Sequence, residues 1–266
     1  MRRLMRGAWF WLLGAVLALS AARAGDAGLL AEADGAYAAS LAETQPEKAR
    51  AGFARAAGLY ERLLAENGEN GRLYYNLGNC FFRQGDYARA VLNYRRAEEF
   101  MPNDGNLRRN LELARAKTGA AVAPAAEDAW RFLLFWHYDL PASARRAGAL
   151  AAFAVFWAVL LLRLRENWRR RLSRGVLAVS ALVALALGGS LLYENAVRAA
   201  HPAGVVLSAV TARQGDGAAY EPMFTGDLPA GTEFTVRETR RRWLKVALDG
   251  GRECWLPREA VALVRR

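Results

Sequence analysis

Residues 71–104 read GRLYYNLGNCFFRQGDYARAVLNYRRAEEFMPND. Two amphipathic stretches flank the short run Gln84-Gly85-Asp86. Leu77 and Phe81 recur at helical spacing in the first stretch, and Ala90, Tyr94 and Ala97 in the second. Gly78 and Ala90 are small, so two antiparallel helices can approach closely there. Gly85 supplies the left-handed conformation that a helix-ending turn needs, and Pro102 stops the second helix. The stretch predicts a tight helical hairpin.

With Gly71 as position 1, Tyr74 falls at 4, Leu77 at 7, Gly78 at 8 and Phe81 at 11. Ala90 falls at 20, Tyr94 at 24, Ala97 at 27 and Pro102 at 32. This pattern resembles the tetratricopeptide repeat, a 34-residue unit of two helices. The preceding window, Tyr37–Asn70, matches in its second helix only, through Ala56, Tyr60 and Leu63; Glu43 and Thr44 stand where Leu and Gly are expected. Residues 105–118 (GNLRRNLELARAKT) look like a terminal helix covering the last apolar face. The reading is an array of about two repeats plus a cap over 25–118. The resemblance implies a peptide-binding groove lined by Tyr75, Asn79, Phe82 and Arg83, with Arg109 from the cap. Asn79 falls where some members of the family clamp a peptide carboxylate; an internal hydrogen bond within the array is the other reading. Cys80, in the same helix, reads as a small buried hydrophobe.

Working outward, the formal charge of +11 is unevenly spread. Residues 1–24 carry +4 and residues 129–200 carry +7, while 25–128 and 201–266 cancel at −2 and +2. A nucleic-acid binder carries its excess on a folded soluble face; here it flanks apolar runs, as membrane insertion requires. Arg2, Arg3 and Arg6, an uncharged run from Gly7 to Ala22, and Ala22-Arg23-Ala24 predict a signal peptide over 1–24. Residues 119–146 form an Ala/Pro-rich linker and an aromatic segment, WRFLLFWHYDL, suited to the headgroup level of a bilayer. In that segment His137 reads as an interfacial hydrogen-bonding group.

Two apolar runs, 147–164 and 175–193, predict a transmembrane hairpin. The stretch RLRENWRRRLSR, residues 163–174, holds six Arg against Glu166. Such loops stay cytoplasmic, which places the 165–174 loop inside and both flanking regions outside. The signal peptide points the same way. The localisation expected is a bacterial inner membrane, with both domains on its periplasmic side.

From Val205 the pattern turns to five short β-type runs with turns at Pro229-Ala230-Gly231 and Asp249-Gly250-Gly251. Residues 203–266 resemble the bacterial SH3-like module, a small all-β barrel. The carrying residues are Thr211-Ala212-Arg213 on the first strand, Leu228 to Thr232, Trp243 to Val246, and Asp249 to Pro257. The resemblance implies a groove for extended peptides, for which Tyr220, Phe224, Trp243 and Trp255 are candidates; core burial is the other reading of the two Trp. Two Cys, 80 and 254, make no disulfide framework.

The sequence holds no phosphate-cradling Gly-rich loop, nucleophile elbow or zinc helix, and two His in all. No catalytic residue, metal ligand or cofactor is assigned, and the expected function is non-enzymatic. The order of parts resembles the Bat-type aerotolerance operon membrane proteins (BatE-like). That resemblance implies partners among membrane-anchored von Willebrand A domain proteins and a MoxR-type ATPase. The fold class expected is thus a tetratricopeptide array, a transmembrane hairpin and an SH3-like barrel. The function expected is a protein–protein scaffold, with a sensor reading peptidoglycan peptides as the alternative.

Overall fold

The computed structural model describes residues 27–120, 134–165 and 170–265. The expected signal peptide, most of the linker, Trp130 to Phe132 and the Glu166–Arg169 part of the Arg-rich loop lie outside the described residues. The chain forms two compact units, Met1–Asp86 and Tyr87–Arg266.

The first unit is helical. Helix α1 spans 27–42, α2 Pro46–Asn67 and α3 Gly71–Gln84. Pro46 at the first turn of α2 needs no backbone donor there. Asn70 caps α3, its side chain accepting from the N–H groups of Arg72 (2.9 Å) and Leu73 (3.3 Å). Gly85, at φ 83°, closes α3, with the Asp86 N–H returning to the Phe81 carbonyl. The core holds Ala33, Phe53, Ala56, Tyr60, Leu63, Leu77 and Phe81, so the apolar positions expected in both windows are buried. The first window has a different register, however. Glu43 and Thr44 are not in a helix but in the turn before Pro46, because α1 lies upstream and α2 runs to 22 residues. Gly52 lets α1 and α2 meet: a Cβ there would sit 2.1 Å from Ser40 Oγ.

The second unit begins with α4 (Tyr87–Glu98) and α5 (Gly105–Thr118), which pack together. Helix α4 ends at Glu98, four residues before Pro102, so Pro102 belongs to the connection rather than stopping the helix. Asp104 caps α5 through the N–H groups of Asn106 (2.9 Å) and Leu107 (3.0 Å). A single turn, α6 (Phe135–Tyr138), precedes two long packed helices, α7 (Ala142–Arg165) and α8 (Arg170–Ala200). Both are long and apolar enough to cross a membrane, over Ala142–Arg163 and Ser173–Val197. They exceed the expected runs because helix formers continue past the uncharged cores. Pro141 ends the aromatic segment and α7 starts after it, so the two are separate helices rather than one bent helix.

The C-terminal region is a five-stranded antiparallel sheet. Its strands are β1 (Ala203–Val206), β2 (Glu233–Arg240), β3 (Trp243–Leu248), β4 (Glu253–Pro257) and β5 (Val261–Leu263). Their order is β4-β3-β2-β1-β5. Val206, Phe234, Val236, Leu244, Val246 and Leu256 form its core. Five strands were expected, but in a closed barrel; among the described residues no ladder joins β4 to β5, and the sheet is open. Thr211-Ala212-Arg213 also depart from expectation. They follow β1 in the long 207–232 connection, where Arg213 bridges to Trp255 and continues past β4 instead of extending β1.

Candidate functional site

On α3, Tyr75, Asn79, Phe82 and Arg83 recur at steps of four, three and one, which puts them on one helix face. Tyr75, Asn79 and Phe82 are half-buried and Arg83 is exposed. The Arg83 guanidinium lies close enough to the Tyr37 phenol on α1 to interact with it. Burial raises the Tyr37 pKa above the ordinary phenol value, and the Arg83 guanidinium partly offsets this. The Tyr37 ring stacks edge-on against Phe53, 5.4 Å between centroids. Tyr37 thus joins the α3 stripe, although the 34-residue frame placed it at a repeat boundary. The displaced register of α1 is why the sequence missed it. Beneath the stripe, Tyr60 donates to Asp34 Oδ1 at 2.5 Å, fixing α1 on α2. Cys80 is a free thiol whose pKa burial pushes up to about 12, so it is unreactive near neutrality.

Arg109 is exposed on α5, in the other unit, and donates to Asn106 Oδ1 at 2.5 Å on its own helix. The more conspicuous cations of that unit are ones the sequence did not single out. Arg96 on α4 donates through Nε to the Val264 carbonyl (3.0 Å) and through Nη2 to that of Leu263 (2.9 Å). Arg115 on α5 grips the Glu233 carboxylate with two bonds, of 2.6 and 3.0 Å, and Arg95 meets the same carboxylate at 3.0 Å. Thr118 packs on Gly231, where a Cβ would come within 2.2 Å. The sheet is therefore clamped onto α4 and α5. No local sequence signal marks this, because Arg115 and Glu233 are 118 residues apart.

On the sheet, Trp255 pairs with Lys245, on the face away from Leu244, Val246 and Leu256. Trp255 is nevertheless only 7% exposed, and the Arg240 guanidinium lies 5.2 Å from its ring. Trp243 shares that face and is half-buried. Tyr220, 51% exposed, packs its ring over Gly215, and its carbonyl accepts from Arg213, whose backbone is bonded in both directions to Trp255. Phe224 packs against the core instead, with Arg252 4.8 Å above its ring. Tyr220 and Trp255 thus both meet Arg213, Trp243 shares the sheet face of Trp255, and Phe224 packs on the core. Cys254 is a free buried thiol, its pKa raised to about 11 by burial.

A third polar cluster joins the aromatic turn to the long helices. His137 Nδ1 lies 2.7 Å from Ser190 Oγ, and Arg145 donates to Ser190 Oγ at 2.7 Å and to the Glu194 carboxylate. Arg145 is 3% exposed, in a helix pair otherwise dominated by apolar side chains.

A tetratricopeptide repeat family model matches residues 47–104, which runs from the start of α2 through α4 and its following turn. No curated protein and no solved structure matches the chain.

Proposed function

We propose that this chain is a non-enzymatic, membrane-anchored scaffold whose repeat groove holds a partner protein. The observation that carries the reading is the stripe Tyr75, Asn79, Phe82 and Arg83, half-buried to exposed on the helix that the repeat match covers. Such a stripe offers aromatic surface, an amide that donates and accepts, and a guanidinium fork for a carboxylate. Helices α7 and α8 anchor the scaffold as a transmembrane hairpin. The strand order and the 3₁₀ turn at Arg258–Ala260 between β4 and β5 support an SH3-like reading of the sheet, as a second docking module. The succession of parts supports a place in a Bat-type membrane complex, beside von Willebrand A domain proteins. The exposed Tyr220 ring favours, as a second reading, a sheet that binds extended cell-wall peptides.

The test of the groove is crosslinking in intact membranes. Asn79→Ala with Arg83→Ala is expected to lower partner capture about ten- to hundredfold while helicity is unchanged, since a charge-assisted contact is worth about 1.5–3 kcal/mol. Full capture by that variant, together with lost capture when α7 and α8 are replaced by unrelated spans, would transfer the binding role to the spans.

The topology proposed puts both domains outside and the Arg-rich loop inside. The clamp of Arg96 and Arg115 on the sheet supports a single side for α4, α5 and the sheet. A reporter active only outside the cytoplasm is expected to work after Thr118 or Arg266 and to be silent within 167–170. Activity at Asn167 reverses the orientation.

A further inference from the structure

We infer that the tip of the β2–β3 hairpin, Arg241 and Arg242, binds the anionic phospholipid headgroups of the membrane in which α7 and α8 are anchored; this rests on the membrane-anchored reading above. Three observations converge on it. The first is direction. Strand β1 leads away from the end of α8, and β2 returns antiparallel to it: Thr235 stands level with Ala203, the Val236 N–H reaches the Pro202 carbonyl, and Arg237 meets the His201 ring. The rest of β2 runs on past that point. From Arg237 to Arg241 is about 13 Å of strand. From Val197, where the apolar span of α8 ends, to His201 is about 6 Å of helix. The arm is long enough to reach the plane in which the span ends.

The second observation is charge. Arg240, Arg241 and Arg242 are consecutive and exposed. Arg240 is engaged, paired with Glu238 (2.6 Å) and Asp216 (3.3 Å) and stacked on Trp255. The side chains of Arg241 and Arg242 have no partner among the described residues. The Arg258 N–H bonds the Arg242 carbonyl at 2.8 Å, which sets a further exposed cation beside the tip. Trp243, next in the chain, is half-buried and of the kind that settles at headgroup level.

The third observation is strain. Arg240 and Trp243 close a two-residue turn, whose first residue, Arg241, sits at φ 37°. It is the one non-glycine residue at positive φ among those described. Glycine is the residue this turn position favours. The sequence keeps a cation at the cost of a less stable turn, and backbone strain held in this way points to use of the side chain.

The test uses the full chain in vesicles of phosphatidylcholine alone and in vesicles where a third of the lipid is phosphatidylglycerol. Amide hydrogen exchange across 238–245 is the readout. Exchange is expected to be several-fold slower in the anionic vesicles, and the slowing to vanish in high salt. A cation near an anionic surface contributes about fivefold in association, so R241Q with R242Q is expected to abolish the difference. R241G separates charge from folding: it is expected to raise the melting temperature while weakening the protection. Equal exchange in both vesicles overturns the proposal and leaves the tip to an acidic protein surface. R241G with full protection overturns it as well. Alkaline carbonate extraction of the same vesicles reads the premise separately. A chain retained in the vesicles with equal exchange refutes the hairpin alone, whereas a chain released refutes the anchoring.

Discussion

Glu194→Gln is expected to destabilise the α7–α8 pair by about 3–5 kcal/mol, the cost of leaving one member of a buried ion pair uncompensated. Arg145 is 3% exposed, and its guanidinium donates to Ser190 Oγ and to the Glu194 carboxylate, with His137 Nδ1 3.5 Å away. Its Nε has no hydrogen-bond partner among the described residues. Gln keeps an acceptor of nearly the same shape, so the substitution removes the charge and little else. What remains is a cation among apolar side chains, with an imidazole as its near neighbour. Replacing both partners, as in Arg145→Leu with Glu194→Leu, removes the charge and the countercharge together and is expected to cost far less. The measurement is unfolding of the full chain in mild detergent titrated with dodecyl sulfate, followed by circular dichroism. Single and double variants with equal losses would show that the pair does not hold the helices together.

Glu233→Gln is expected to loosen the sheet from α4 and α5, at a cost of about 2–3 kcal/mol. The carboxylate takes two bonds from Arg115 and one ion pair from Arg95, and its side chain is 17% exposed, so solvent screens the interaction little. Arg95 keeps Glu98 as a second partner, whereas the Arg115 fork loses its bidentate match. The readout is thermal melting with limited proteolysis of the 207–232 connection. Arg115→Gln is expected to cost a similar amount, and the double variant little more than either, because the two residues act as one contact. Strict additivity would mean that each residue stabilises the protein through something else.

The repeat helices were legible from local pattern. Leu77, Phe81, Ala90 and Tyr94 declare a buried stripe, and Gly85 declares the turn. The end of α1 was not, because a fixed 34-residue period sets Glu43 and Thr44 inside a helix, and a 22-residue α2 does not obey that period. The strands of the sheet were legible from alternation, as in Leu244, Val246 and Leu248 facing the core. Its openness was not, since closure depends on whether β4 meets β5, and strand composition is silent on pairing. Of the candidate site residues, the stripe on α3 came from the resemblance to the repeat, and the helix places its members on one face. Tyr37 was lost with the register of α1. Trp255 defeated a simple split into core and groove, being buried on the face opposite the core by a cation and a loop. Glu233, Arg96 and Arg145 left no trace in the pattern, because partners more than forty positions away define each of them.

The bonds from Arg96 to the carbonyls of Leu263 and Val264 span 167 and 168 positions. In a growing chain they form only after every segment between the two partners has been made. At about 5–20 residues per second, the ribosome delivers those carbonyls about 10–30 s after Arg96 itself. For that interval α4 and α5 expose a surface built for the sheet, while both long helices are still being placed. Assembly of this region is therefore ordered in time: the face of α4 that carries Arg96 waits for β5 to be made.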